Sequence, residues 1–129
     1  MKGKPVLIFV VVIILYSALF LIKPQEPTRE VTIENKTFNL LIADSPEEHA
    51  KGLMNVRKLS NANGMVFLFE DSQVRTFWNQ NTFADLDVYW MDGERVVGKS
   101  FLPSIETTKV PVTISSQVPV NKVVEIIKK

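Results

Sequence analysis

The chain has 129 residues, enough for one globular domain and too few for a second independent core. Lys and Arg total 15 and Asp and Glu total 14. This near balance of charge argues against electrostatic binding of nucleic acid. The chain has no cysteine, which excludes disulfides, thiolate metal sites and cysteine nucleophiles.

The N-terminal segment carries the strongest hydrophobic signal. Residues 6–22 form an uncharged apolar run that follows Lys2 and Lys4. As a helix this run would be about 26 Å long, close to the bilayer hydrocarbon thickness of about 30 Å. After Phe20 no pair of small residues marks a cleavage site, and the basic residues Lys2 and Lys4 precede the run. We expect residues 1–23 to be a single-pass anchor with the N-terminus in the cytoplasm and the domain outside; secretion after signal cleavage is the alternative.

Residues 24–29 contain two prolines and read as a short stiff linker, which places the globular domain at residues 30–129. The domain opens with alternating apolar residues over 31–33 and 38–42, a pattern that predicts a hairpin. Ser45-Pro46-Glu47-Glu48 then predicts a helix start with a capping box, and the helix should run to about Val56.

The rest of the domain is predicted to form strands. Apolar or alternating runs occupy residues 65–69, 73–78, 110–114 and 123–127, and residues 88–91 and 95–97 flank the Asp92-Gly93 turn of a hairpin. About seven or eight strands and one helix predict a mainly β (α+β) fold. We expect a compact antiparallel β-sandwich or a partly closed barrel with the helix packed against it.

Several motifs in order resemble the uncharacterised domain of unknown function 192 family. They are Gly52-Leu53-Met54 with Arg57, Gly64-Met65-Val66-Phe67, Phe77-Trp78 with Asn81-Thr82, and Leu86-Asp87. The resemblance covers about residues 31–127. It implies a β-rich fold and an exported or membrane-attached setting, and it brings no established activity.

The sequence departs from the family pattern at two places. Asn79-Gln80 stands where the family has Met-Lys, and Asp85 stands where it has Pro. If the family lysine contacts a ligand, that contact is absent from this chain.

The densest polar and aromatic segment, residues 77–87, supplies the candidate ligand-binding residues together with the arginine that follows the predicted helix. These are Arg57, Trp78, Asn81, Thr82 and Asp87. An indole beside amides and a carboxylate suits stacking on a sugar ring, and an arginine suits an anion. Structural roles are the alternative, with the indole in a core, the amides bonding nearby backbone and Arg57 paired with Asp87 or Asp85.

The sequence gives little support for a metal site, a phosphate-binding loop or a nucleophile. His49 is the only histidine and is expected to be solvent-exposed on the helix. With one imidazole and no thiol, neither a zinc site nor another metal site is predicted. No glycine-rich phosphate loop or nucleophile turn occurs, and no cofactor is expected.

Three functions remain open. A non-catalytic module that binds a polar small molecule, a glycan or an envelope protein is favoured. A cofactor-independent enzyme, such as a hydrolase using Asp85 or Asp87 with Arg57, is the first alternative. A structural or assembly protein is the second.

Overall fold

The computed structural model describes residues 24–129 together with Val10, Ile13 and Ile14. The predicted membrane segment at residues 6–22 lies outside the described residues apart from those three. Within the part of the chain that is described, no helix is long and apolar enough to cross a membrane.

The domain contains eight strands and two short helices. They are β1 (Thr28–Ile33), β2 (Lys36–Ala43), α1 (Pro46–Lys51), β3 (Gly64–Gln73), β4 (Thr76–Trp78), β5 (Leu86–Asp92), β6 (Arg95–Leu102), α2 (Ile105–Thr108), β7 (Thr113–Ser115) and β8 (Val120–Ile127). The predicted mainly β fold with few helices is confirmed. β1 begins two residues before the predicted domain start.

Six strands form one sheet in the order β1-β2-β3-β8-β5-β6, and β4 pairs with β7 in a separate two-stranded ribbon. The large sheet is not closed, since β1 and β6 lie at its edges. The prediction that all pairs are antiparallel is wrong for β2 and β3, which run parallel. A parallel pair needs a long crossover, and α1 with the loop after it provides one over residues 44–63.

The large sheet has an apolar cluster on each face, because side chains alternate along each strand. The front core comprises Leu41, Ala43, Leu53, Met65, Phe67, Leu86, Val88, Trp90, Leu102, Val120 and Val123. The back core comprises Val31, Ile33, Leu40, Val66, Tyr89, Met91 and Val124. The β4–β7 ribbon contributes Phe77 and Ile114 to the covering of the front core.

Helix α1 begins as the sequence predicts. Ser45 Oγ accepts a hydrogen bond from Glu48 N, and the Glu48 carboxylate accepts from Ser45 N, which completes the capping box. The predicted end at Val56 is wrong, because the chain leaves the helix at Gly52 with a φ of 48°. Gly52 N donates to Glu48 O at 2.8 Å and so closes the last turn.

Two late elements also differ from prediction. The run predicted as one strand at residues 73–78 divides between the end of β3 and β4, and the chain changes from the large sheet to the ribbon between them. The strand predicted at residues 110–114 forms at Thr113–Ser115, and Val110 is exposed. Helix α2, which has only four residues, was not predicted.

Candidate functional site

Glu125 is a carboxyl group in the middle of the front core. It lies on β8 between Met65 of β3 and Val88 of β5. Side-chain alternation places it on the same face as Val123, and it is only 4% exposed. A carboxyl at such a position is costly unless it has a partner or a function.

A small cavity of about 30 Å³ lies over this carboxyl. The sheet contributes Phe67 and Glu125, the end of α1 and the loop after it contribute a roof, and β4 and the following loop contribute a side wall. The lining residues are His49, Ala50, Lys51, Gly52, Leu53, Met54, Phe67, Phe77, Trp78, Thr82 and Glu125. We call this space the inner cavity. A volume of this size holds one small polar group.

The Glu125 carboxyl makes no hydrogen bond or ion pair within the described part of the chain. Among the same residues, no side-chain nitrogen or oxygen is sealed from solvent without a partner. The carboxyl oxygens therefore reach the inner cavity. Burial raises the pKa of Glu125 to about 8, so the group is mostly a neutral acid at pH 7.

Aromatic rings form the side wall of the inner cavity. The Phe77 ring meets Phe67 edge-on at a centroid distance of 4.9 Å and meets Trp90 at 5.7 Å. The next residue, Trp78, has half of its surface exposed at the mouth, whereas Trp90 is buried and donates Nε1–H to Ser100 Oγ. Trp78 is therefore the indole available for contact with a ligand.

The roof depends on His49 and Gly52. His49 Nε2 lies 2.9 Å from Leu68 O and 3.1 Å from Ala43 O, and its ring centroid is 4.4 Å from that of Phe69. The prediction that His49 is solvent-exposed is therefore wrong; it ties α1 to the sheet. A Cβ at Gly52 would lie 3.2 Å from Phe67 Cζ, so glycine allows the end of α1 to pack closely over that ring.

The loop after β4 is fixed by Asn79, which is fully buried. Its Nδ2 donates to Pro103 O at 2.9 Å and to Thr108 Oγ1 at 2.8 Å, and its Oδ1 accepts from Val112 N at 2.8 Å. Asn79 therefore has a structural role, and its partners are 24 to 33 positions away in sequence. They hold the loop beside the cavity.

The structure brings two of the predicted ligand-binding residues to the inner cavity and a third close by. Thr82 is 5% exposed and lines the cavity with Trp78. Asn81 is exposed and has a φ of 50°. Its backbone oxygen accepts a hydrogen bond from Asn55 N at 2.8 Å. It links the loop to the segment after α1.

Arg57 and Asp87 lie elsewhere. Arg57 is exposed, binds Glu106 at 2.8 Å and places its guanidinium carbon 4.4 Å from the centroid of the Phe83 ring. The hydrogen bond with Glu106 raises the pKa of Arg57 and lowers that of Glu106. The predicted pairing of Arg57 with Asp85 or Asp87 is wrong.

Both aspartates have structural partners of their own. Asp87 alternates with the front-core residues Leu86 and Val88, so it lies on the opposite face of the sheet from the inner cavity. There its carboxylate is 3.6 Å from Lys99 Nζ and 3.4 Å from Lys128 Nζ. Asp85 Oδ1 accepts a hydrogen bond of 2.8 Å from Ser104 N, at the start of α2. The two carboxylates do not form an acid/base pair.

The sequence profile of domain of unknown function 192, described as "Uncharacterized ACR", matches residues 29–129. The chain belongs to this family. None of the curated proteins compared with it matches in sequence.

Two crystal structures are similar to this family member. One is a protein named "putative transcription regulator" from Sinorhizobium meliloti 1021, with a TM-score of 0.63, 24% identity, and coverage of 81% of this chain and 84% of that chain. The other is a protein of unknown function from Novosphingobium aromaticivorans DSM 12444, with a TM-score of 0.64, 24% identity, and coverage of 83% and 82%. At this identity the likeness shows the fold alone.

Glu125 is the central residue of the candidate site, and it is not among the residues predicted from the sequence of this domain of unknown function 192. The signal was present in residues 123–127, where the glutamate interrupts four apolar residues. Apolar residues at both odd and even positions predict a strand buried on both faces. A charged residue inside such a strand must therefore be buried as well, which is the anomaly that marks a site.

Within the described residues, no group of three or more His, Cys, Asp or Glu could hold a metal ion. Glu125 shares the inner cavity with one histidine, whose Nε2 is engaged by backbone carbonyls. The chemistry of the site is therefore that of a single buried carboxyl between aromatic rings and a threonine.

Proposed function

We propose that this domain is a non-catalytic binding module for a small polar molecule, which places a polar group in the inner cavity against Glu125. The observation that carries the proposal is the buried Glu125 carboxyl, which faces a cavity and has no protein partner among the described residues. Buried polar groups in proteins nearly always have partners, and those that do not are frequently functional.

A larger depression beside the inner cavity supports the proposal. It has a volume of about 440 Å³ and shares His49, Ala50, Phe77 and Trp78 with the inner cavity. We call it the outer groove. Its size lies within the range of small-molecule sites, and the exposed faces of Trp78 and Val74 offer apolar contact for the body of a ligand. A ligand would thus place its polar end at Glu125 and its body on Trp78.

Two other depressions are larger but have no comparable group. One, of about 610 Å³, lies beside Pro24–Pro27 and α1, and the other, of about 890 Å³, lies beside Arg57 and Lys58. No buried ionisable side chain lines either of them within the described part of the chain. They lack the feature that favours the inner cavity.

Binding is favoured over catalysis by the isolation of Glu125. A hydrolase needs a second group to activate or orient a nucleophile. Asp85 and Asp87 are engaged by Ser104 N and by two lysines, away from the inner cavity. The enzyme alternative therefore has no acid/base pair at this site.

The location of the domain is part of the proposal. The apolar run at residues 6–22 and the basic residues before it support a single-pass anchor with the domain outside the cytoplasm. A polar metabolite, a glycan or a group on an envelope protein would then be the available ligands. Membrane fractionation with alkaline extraction tests the location: release into the soluble fraction would favour the secreted form.

A thermal-shift screen of the full chain in mild detergent tests binding. The probes are methyl glycosides, polyols, amino acids and small amines, since a ligand that binds only the folded state raises the melting temperature. We expect any shift seen with the wild type to weaken in Trp78→Ala and to persist in Arg57→Ala, a matched control outside the cavity. A shift lost in Arg57→Ala and retained in Trp78→Ala would place the site elsewhere and refute the proposal.

A further inference from the structure

We propose that the ligand group held at Glu125 is a primary ammonium group. This inference rests on the proposed function and names the chemical class of its ligand. It follows from the charges, the hydrogen-bonding capacity and the size of the inner cavity.

The charges around the inner cavity favour a cationic ligand. The strands and the loop around Glu125 contribute only uncharged side chains to the inner cavity: Phe67 from β3, Phe77 and Trp78 from β4, and Thr82 from the loop. The end of α1 contributes the two other ionisable groups, His49 and Lys51. Neither lies within ion-pair distance of Glu125, and Lys51 is exposed. A cation is therefore what the ionised carboxylate lacks.

The neighbouring outer groove contains one more cation, Arg75. Its guanidinium binds the Asp71 carboxylate at 2.7 Å and lies 3.9 Å from the centroid of the Phe69 ring. The arginine is thus held by groups of its own and does not neutralise Glu125.

The hydrogen-bonding capacity of the inner cavity favours a ligand group that donates. The Thr82 hydroxyl donates to Gln80 O at 3.3 Å, so its oxygen can accept from a ligand. His49 Nε2 is directed at two backbone carbonyls. The ionised Glu125 carboxylate is acceptor-only, and the cavity is lined by the aromatic side chains of Phe77 and Trp78, a class of group that attracts cations. These features together complement a group that only donates, which describes an ammonium.

The size of the inner cavity favours a small head group. A cavity of about 30 Å³ admits a head group similar to one water molecule. A primary ammonium fits this space, whereas a trimethylammonium group is several times larger. A divalent metal is disfavoured because hard cations require six or more oxygen ligands and the cavity offers one carboxyl.

Ammonium binding has a distinctive pH dependence. In the unliganded protein the pKa of Glu125 is raised to about 8 by burial, so below that pH the carboxyl must release a proton when a cation binds. The Kd should fall about tenfold from pH 6 to 7 and about fivefold from pH 7 to 8. It should then level off, since a primary amine keeps its proton until about pH 10. A neutral hydroxyl ligand would show no such gain in affinity.

The test uses the full chain in mild detergent and three matched probes: n-propylammonium, n-propanol and tetramethylammonium. Binding is followed by Trp fluorescence and by calorimetry at pH 6, 7 and 8. We expect n-propylammonium to bind with a Kd that falls about tenfold from pH 6 to 7 and about fivefold from pH 7 to 8, with release of about one proton at pH 6. The alcohol and the quaternary ammonium should bind at least tenfold more weakly at pH 8.

Two variants separate charge from packing. Glu125→Gln keeps the shape of the side chain and should abolish n-propylammonium binding. Glu94→Gln removes an exposed carboxylate at the β5–β6 turn and should leave binding unchanged. Equal binding to wild type and Glu125→Gln would overturn the inference, as would a Kd that does not change between pH 6 and 8.

The inference and the proposed function can fail separately. If n-propanol or a methyl glycoside binds in a Trp78-dependent way and n-propylammonium does not, the binding module stands and the ammonium assignment is wrong. If no probe of the screen binds the wild type, both fail. Should Glu125→Gln not fold, proton release by the wild type at pH 6 decides the question alone.

Discussion

Replacing Glu125 by Gln tests the buried acid through the pH dependence of folding. Burial raises the pKa of Glu125 from 4.5 to about 8 in the folded state. The folded protein therefore holds a proton that the unfolded chain releases above pH 4.5. The wild type has its full stability from this group below pH 4.5 and loses stability as the pH rises to about 8, above which the loss is constant.

The magnitude follows from the two pKa values of Glu125. Each pH unit within the window lowers the free energy of unfolding by up to about 1.4 kcal/mol. Between pH 5 and pH 8 the loss is about 3 to 4 kcal/mol, a large fraction of the roughly 5–15 kcal/mol that stabilises a domain. Glu125→Gln cannot ionise, so its stability should lack this loss.

Urea unfolding at pH 5, 6, 7 and 8, followed by Trp fluorescence, measures the effect in both proteins. The difference between wild type and Glu125→Gln cancels the other titrating groups. We expect the variant to gain about 3 to 4 kcal/mol over the wild type between pH 5 and pH 8. Parallel stability curves for the two proteins would refute the view that Glu125 is a buried neutral acid.

Three further predictions concern the residues around the inner cavity and their controls. Gly64→Ala should lower the free energy of unfolding in urea by at least about 4 kcal/mol, because the added Cβ would lie 1.8 Å from the backbone oxygen of Glu125. Gly93→Ala is the control: its φ is 59° and the space around it is open, so the loss should be only about 1 kcal/mol. Asn79→Ala should lower stability by about 2–4 kcal/mol, since it removes three hydrogen bonds; a loss under 1 kcal/mol would contradict its anchoring role. Arg57→Ala should leave the melting temperature and ligand binding unchanged, because its ion pair is exposed; a clear loss of binding would restore Arg57 to the site.

The elements predicted correctly are those set by neighbouring residues. The capping box of Ser45 and Glu48 fixes the start of α1, and the predicted hairpin joins β5 to β6, with its turn at Gly93 and Glu94. Both depend on contacts within a few residues, which the sequence displays directly. The family motifs around residues 52–57 and 77–87 likewise identify the family, as the profile match confirms.

The errors occur where partners are distant along the chain. Arg57 pairs with Glu106 rather than Asp85 or Asp87, and His49 is held by Leu68 O, 19 positions away. The parallel pairing of β2 with β3 depends on the path of the crossover between them. None of these choices follows from local propensity.

The sequence by itself determined the strand-rich composition, the start of α1, the β5–β6 hairpin and the family, because each depends on short-range pattern. Only the tertiary structure decided which polar residues meet. It separates Asp87 from Trp78 and Thr82, and it places Glu125 under the same cavity as those two. The physical reason is that β8, the last strand in the chain, lies between β3 and β5 in the sheet, so long-range pairing determines the surroundings of Glu125.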